Sequence, residues 1–478
     1  MPDGRGLNGC NQETWQPVIA SRQGPRYRAI ADAIQGDIAA GRLLSCQRLP
    51  THRDLAWRLG VTVGTVTRAY VEAERRGLIV GEVGRGTFVR RTLVDFVEMS
   101  ESEKRLRRDE AEALAEPVDL SGNAPPPPPP LAGRIAQALS EVAQDPSFDE
   151  LLLYRPSQGL KDHARAGADW IANFGPRPDP AHVVPTNGAQ QGMLAAIAAA
   201  ASAGDVLLTE NLTYFGVKPV AQTLGLRLEG VEMDEEGILP DALQAAIKST
   251  GARALYLWPT LQNPTCGVLS PERRQAIADI CRHHGVTVVE EDGYNFLLET
   301  PVAPMSAYLP ERTIHIANLS KPLAPALRVG YLAVPPAYLS KVLTGVRASG
   351  LMVCSIMHEV GARLIDDGTA MESAGLVRDL ARQRQDIVAR ILSGLSYRSH
   401  PTALTVWLQL PKTWRREAFS AACLQRGAIV SSGDVFAIGR QPAPHYVRLS
   451  ISKPRRTDEL EQALYVIRDL LQTEEVMA

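Results

Sequence analysis

The segment NLSKPLAPALRVGYL, residues 318–332, sets a lysine just beyond an apolar strand pattern and follows it with Pro325, Arg328, Gly330 and a second apolar strand. An amine so placed lies at the ligand-binding edge of a sheet, which makes Lys321 a candidate to form a Schiff base. One lysine alone would read as a surface charge, but three other segments end the same way. VTVVEEDGY puts Asp292 at the carboxyl end of a strand with Tyr294 two residues on, and QNPT sets Asn263 after another strand. NGAQQG opens a helix whose N-terminus can hold a phosphate. The set fits a pyridoxal 5'-phosphate site, in which the Asp keeps the pyridine nitrogen protonated and the Asn and Tyr bond the ring hydroxyl.

Such residues need a frame. From AHVVPT through GAQQGMLAAIAAAASAG, DVLLTE, ARALYLWP, SPERRQAIADICRHHG, VTVVEEDG and TIHIANLSK to VGYLAVP, strand and helix patterns alternate. That alternation predicts an α/β body with a largely parallel sheet and ligands at the carboxyl ends of its strands. ALTVWLQLP and YVRLSIS predict strands of a small C-terminal α+β subdomain.

With 478 residues, 45% of them hydrophobic, 22% charged and a net charge of -2, the chain predicts a soluble multidomain protein. It has no apolar run of the roughly 18 residues that a membrane helix needs, and its start lacks a secretory core, so no membrane partner and a cytoplasmic location are expected. Six cysteines without CxxC spacing predict reduced thiols and no metal site. The charge is unevenly spread: residues 1–95 hold fourteen Arg, no Lys and nine acids, a net of +5 that suits a polyanion.

In that basic end, Ile30, Ile34 and Ile38 mark a helix ending at Gly41, Thr51 with Asp54 caps a second that stops at Gly60, and Thr62 opens a third that stops at Gly77. LIVGEVGRGTFV adds a hairpin around Gly84-Arg85-Gly86, completing a mainly α winged helix-turn-helix. The predicted organisation is a tail over 1–24, the DNA-binding domain over 25–92, a charged and proline-rich linker over 93–130 and the body over 131–478. The linker reading rests on a mixed-charge run followed by six prolines, Pro125 to Pro130.

Residues 131–478 resemble a fold-type I aminotransferase, and residues 25–91, above all RLPTHRDLAWRLGVTVGTVTRAYVEAERRGLI, resemble the GntR winged helix. In that order the pair resembles the MocR subfamily of GntR regulators. The resemblance implies that Lys321 carries the cofactor, that Asp292 meets the pyridine nitrogen, and that Asn263 and Tyr294 bind the ring hydroxyl. It further implies that Tyr214 stacks on the ring, that Ala189 and Gln190 donate to the phosphate with Asn318 and Ser320 nearby, and that Arg328 contacts the phosphate or faces the substrate. Arg448 would be the fork for an effector carboxylate, and Tyr154 would reach the phosphate of a neighbouring subunit in a homodimer. Asn318 stands where Ser or Thr is commoner, Pro322 follows the lysine, and Gly293 replaces a frequent acid.

In the DNA-binding half, the third helix would enter the major groove of double-stranded DNA with Thr62, Val63 and Thr65 in its first turn. Many relatives carry Arg at Val63; here Thr62, Thr65 and the apolar surface of Val63 would read bases. Arg53 and Arg68 would contact phosphates and Arg85 a minor groove. The resulting expectation is a regulator that senses an amino acid or amine effector through external aldimine formation. Its rivals are an active aminotransferase with an appended head and a pyridoxal phosphate sensor governing vitamin B6 synthesis.

Overall fold

The computed structural model describes residues 15, 17, 25–39, 42–43, 47–76, 78–82, 86–89, 117–439 and 444–475. The chain divides into two units, a head within residues 1–114 and a body within residues 115–478.

In the head, α1 (Arg26–Ala39), α2 (His52–Leu59) and α3 (Val63–Arg75) precede an antiparallel hairpin of β1 (Ile79–Glu82) and β2 (Gly86–Val89). Thr51 Oγ1 accepts from the Asp54 amide and Thr62 Oγ1 from the Thr65 amide, each at 3.2 Å. Each bond satisfies one of the donors that a helix start leaves open. Gly60 closes α2 at φ 60°, a left-handed conformation that would cost a residue with a Cβ about 1–2 kcal/mol. Ile30, Ile34, Leu55, Val66, Ala69 and Ala73 share one core, which Trp15 joins from the segment read as a tail. The Trp15 indole donates to Asp37 at 2.7 Å. Gly41, Gly77 and Arg85 lie outside the described residues.

The body is built on β4 (Val183–Thr186), β5 (Val206–Glu210), β6 (Arg227–Val231), β7 (Ala254–Leu257), β8 (Thr287–Glu291), β9 (Thr313–Asn318) and β10 (Gly330–Ala333), with β3 (Val118–Asp119) ahead of them in sequence. Seven strands form one sheet in the order β4-β10-β9-β8-β7-β5-β6. Strand β10 runs antiparallel to both neighbours while the remaining pairs are parallel. Alternation along each strand divides its side chains between two cores. Tyr256 and Val289 pack with Met193 and Ala196 of the helix Ala189–Ala200. Leu255 and Val288 pack with Ile277 and Ala278 of the helix Pro271–His284 on the other face.

A smaller sheet holds β11 (Tyr397–Arg398), β12 (Thr405–Gln409), β14 (Ser431–Ser432) and β15 (Tyr446–Ser450) in the order β11-β12-β15-β14. Trp407 faces Arg448 across the antiparallel β12–β15 pair, as expected of a C-terminal α+β subdomain. No helix among the described residues is long and apolar enough to cross a membrane.

The linker expectation over 93–130 is corrected at its C-terminal end. Strand β3 pairs in parallel with β13 (Ala428–Ile429), Leu120 is fully buried in the core of the small subdomain, and Pro125 and Pro128 are buried. Burying Leu120 contributes on the order of 1.5–3 kcal/mol, enough to hold this segment to the body. A proline run needs no internal hydrogen bonds, so it can lie along a folded surface as readily as it can span solvent. Residues 93–116 lie outside the described residues.

Candidate functional site

The strand ends predicted to carry chemistry converge in the body. Lys321 follows β9, and its Nζ donates to the backbone carbonyl of Asn123. Burial, aided by the nearby positive charge of Arg448, lowers the lysine to about 8, so a reactive neutral amine is accessible near physiological pH. Asn123 is a hub: its side-chain amide donates to the Tyr294 hydroxyl at 2.5 Å, and its Oδ1 accepts from Ser452 at 3.0 Å.

Arg448 on β15 is 2% exposed and has no carboxylate within ion-pair distance among the described residues. One of its terminal nitrogens donates to Asn263 Oδ1 at 2.9 Å and the other to the Ser121 carbonyl; its Nε has no partner among the described residues. The Phe436 ring lies 4.8 Å below the guanidinium. A buried cation held only by neutral groups is an anion receptor in waiting, because a carboxylate would supply the charge that these dipoles replace.

The helix Ala189–Ala200 begins behind Gly188 at φ 78°. A Cβ at Gly188 would come 2.7 Å from Arg328 Cζ, so glycine here admits the guanidinium against the helix start. Arg328 itself sits at φ 53° and donates to the Asn187 carbonyl at 3.1 Å. The half-buried helix start at Ala189 and Gln190, beside a guanidinium, could hold a phosphate. Gln190 is fixed by a bond to the Gly216 carbonyl at 3.0 Å and accepts from the Tyr214 hydroxyl at 3.4 Å. Tyr214 meets Trp258 edge-on at 5.7 Å, and Trp258 lies 5.0 Å from Tyr294, so the three aromatic rings form a continuous row that ends at the Tyr294 hydroxyl held by Asn123. Asn318 Oδ1 accepts from the Ser320 amide at 3.0 Å and shapes the turn into Lys321.

Two expected residues stand apart from this group. Tyr154 is 84% exposed on the single chain, next to Leu152 and Leu153 at 59% each. Asp292 directs Oδ2 to Asn295 Nδ2 at 3.1 Å, and the charges that act on it are those of His315, Glu290 and Arg274. Sequence reading passed over Ser121, Asn123, Trp258, Glu291 and Ser452. The signals were a small-residue turn, SGN, after a strand-like VDL, and a run of three acids, not one, at the end of VTVVEED.

These groups fit pyridoxal phosphate. The Lys321 amine is lowered by burial, Gly188 admits the Arg328 guanidinium against a helix start, and Glu291 Oε2 is a buried carboxyl oxygen without a hydrogen-bond partner among the described residues. No group of three metal-ligating side chains occurs among the described residues.

On the head, Arg53 and Arg68 are exposed and make no ion pair among the described residues, whereas Arg75 and Arg76 are engaged by Glu72 and Asp32. Val63 is 46% exposed at the start of α3. Thr62 and Thr65 bond each other through their hydroxyls at 2.9 Å, so Thr62 is first a helix cap.

Comparison with known proteins agrees with both units. Residues 116–467 match the aminotransferase class I and II family, and residues 26–89 match the bacterial regulatory proteins of the GntR family. The uncharacterized HTH-type transcriptional regulator YdeF of Bacillus subtilis is 29% identical over 461 residues, covering 96% of this chain and 97% of that one. The vitamin B6 salvage pathway transcriptional repressor PtsJ of Salmonella typhimurium is 26% identical over 433 residues, covering 90% of this chain and 95% of that one. Among solved structures, the α-aminoadipate aminotransferase LysN of Thermus thermophilus, complexed with N-(5'-phosphopyridoxyl)-L-leucine, superposes with a TM-score of 0.69 at 24% identity, covering 80% of this chain and all of that one. The aminotransferase fold and the family imply pyridoxal phosphate as cofactor. The chain belongs to the aminotransferase class I and II family and, with a GntR DNA-binding head in front of that domain, has the MocR architecture.

Proposed function

We propose that this chain is a homodimeric transcriptional regulator, acting in the cytoplasm, whose body binds an amino acid or amine effector beside pyridoxal phosphate and thereby alters DNA binding by the head. When bound, pyridoxal phosphate supplies an aldehyde that condenses with amines and a ring that withdraws electrons. Lys321 holds the cofactor, Ala189, Gln190 and Arg328 cradle its phosphate, Asn263 and Tyr294 serve its ring hydroxyl, Tyr214 flanks the ring, and Arg448 receives the effector carboxylate. Tyr154, exposed beside two exposed leucines, is offered to a second subunit.

One observation carries this reading. Lys321 and Arg448, the groups that would meet an effector's amine and carboxylate, both bond backbone carbonyls of residues 121–123. That strap is the part of the body that continues in sequence toward the head. Lys321 cannot give its amine to a ligand and to Asn123 together, and Arg448 cannot close its fork on a carboxylate while Ser121 and Asn263 occupy it. Ligand binding and strap position are therefore linked, and an effector shifts the balance by its preference for the released strap.

Operator binding should be measured by gel shift on DNA flanking the gene, with cofactor, with cofactor plus individual amino acids, and with neither. An affinity that moves only when an amino acid is added supports the reading; one unaffected by every addition rejects it. A second reading is favoured by the Lys321–Asn123 contact, which cofactor alone would break, and by PtsJ, a vitamin B6 repressor by name. In that case cofactor alone produces the full shift.

A further inference from the structure

Strand β8 ends in Glu290 and Glu291, Asp292 follows directly, and the directions of the three acids differ. Glu290 accepts from the Met305 amide at 2.8 Å, lies 3.0 Å from His315 Nδ1 and faces Arg274 at 3.8 Å, on the side of the helix Pro271–His284. Side chains alternate along a strand, so Asp292 falls on the side of Glu290 and Glu291 on the opposite one. The Asp292 amide still bonds the Ile316 carbonyl of β9, which keeps the alternation intact through that residue. Asp292 is engaged by Asn295 and feels the charges of His315, Glu290 and Arg274.

Glu291 has other neighbours. A Cβ built on Gly293 would meet Asn318 Nδ2 at 3.4 Å, Glu291 Oε1 at 3.6 Å and Trp258 Cζ2 at 3.7 Å, so the Glu291 carboxyl, the Asn318 amide and the indole between Tyr214 and Tyr294 surround one point. The residue is 3% exposed, and its Oε2 has no hydrogen-bond partner among the described residues. When ionised, it would act on Lys321 and on the hydroxyls of Tyr214, Tyr256 and Tyr294.

We propose that Glu291, rather than Asp292, is the acid that meets the ring nitrogen of the cofactor, and that Asp292 is a positioning residue that fixes the end of β8 through Asn295. The proposal rests on the cofactor reading above. An unpartnered carboxyl among aromatic rings is held protonated, raised to about 8 by burial first and by Asp292 second. It becomes a carboxylate when a pyridine nitrogen takes its proton, so the two share one proton and bury no uncompensated charge. Glutamate reaches one methylene farther than aspartate, which matches a start from the strand itself.

Full-length protein loaded with pyridoxal phosphate labelled with nitrogen-15 at the ring distinguishes the two acids, because the nitrogen shift reports protonation directly. The wild type and Asp292→Asn should give the pyridinium signal, and Glu291→Gln the neutral pyridine signal with cofactor affinity reduced roughly 30-fold or more. Glu291→Asp keeps the charge and is the control for folding: it should retain the pyridinium signal with weaker binding. Loss of the pyridinium in Asp292→Asn together with its retention in Glu291→Gln overturns the assignment and leaves the cofactor reading standing. Retention in both variants also overturns it. A wild-type chain that shows no visible cofactor band rejects the cofactor reading, and the assignment falls with it.

Discussion

Arg68 and Arg448 carry the same guanidinium into opposite surroundings. Arg68 stands exposed on α3, without an ion pair among the described residues, whereas Arg448 is 2% exposed and held by Asn263, a backbone carbonyl and the face of Phe436. A solvated cation attracts a polyanion over a distance that salt shortens to about 8 Å at physiological strength. A desolvated cation recognises one anion at contact and is screened little. On the proposed function the head would make many weak phosphate contacts and Arg448 a single strong one, so ionic strength would separate the two functions in one chain.

The largest effect that bears on this contrast belongs to the lysine. Lys321→Ala should abolish the visible band of lysine-bound cofactor and the effect of added cofactor on DNA affinity, read by absorbance and gel shift. A persistent band would show that another amine carries the cofactor. Arg448→Ala should cost roughly 30-fold or more in affinity for a carboxylate effector, by calorimetry, with cofactor binding kept and the loss similar at low and high salt. A strongly salt-dependent loss would mean that this arginine behaves like those of the head.

Arg53→Ala and Arg68→Ala should each weaken binding to every DNA sequence and lower the slope of log affinity against log salt by about one. The pH dependence sharpens the comparison from within the body. With Lys321 at about 8, the reactive amine is lost as pH falls through that value, so cofactor capture followed by stopped-flow absorbance should rise with pH through a midpoint at about 8 and level above it. Arg448 is the second cause of that depression, so Arg448→Ala should move the midpoint upward, whereas Arg68→Ala should not move it. The smallest effect is Thr62→Ala, which removes the cap of α3 and should cost the head about 1 kcal/mol in thermal unfolding.

Local chemistry was legible in the sequence. The caps at Thr51 and Thr62, the stop at Gly60 and the buried face Val66, Ala69, Tyr70 and Ala73 depend on residues three or four positions apart, and each stands where the pattern put it. Lys321, Arg328, Asn263 and the helix start at Ala189 were readable because each closes a distinct strand or turn signal. What escaped depends on distant partners or on parity. Residues 117–130 read as a tether because composition cannot reveal that β3 pairs with Ala428 and Ile429 some three hundred residues away. A run of three acids, Glu290, Glu291 and Asp292, announces a strand end but not which of them faces the site, since a shift of one residue reverses the side.

The seat of β3 and Leu120 also decides where this protein can be cut or joined. A fragment begun at Leu131, just past the prolines, would lack the partner of β13, the Leu120 side chain in the small core, and the two carbonyls that Lys321 and Arg448 hold. It would be a body with an open edge strand and two uncompensated cations. A fragment begun at Ala115 keeps all of these. Any exchange of DNA-binding heads, in the laboratory or by gene fusion, has its seam upstream of Ala115, and the apparent spacer after it is inherited with the body.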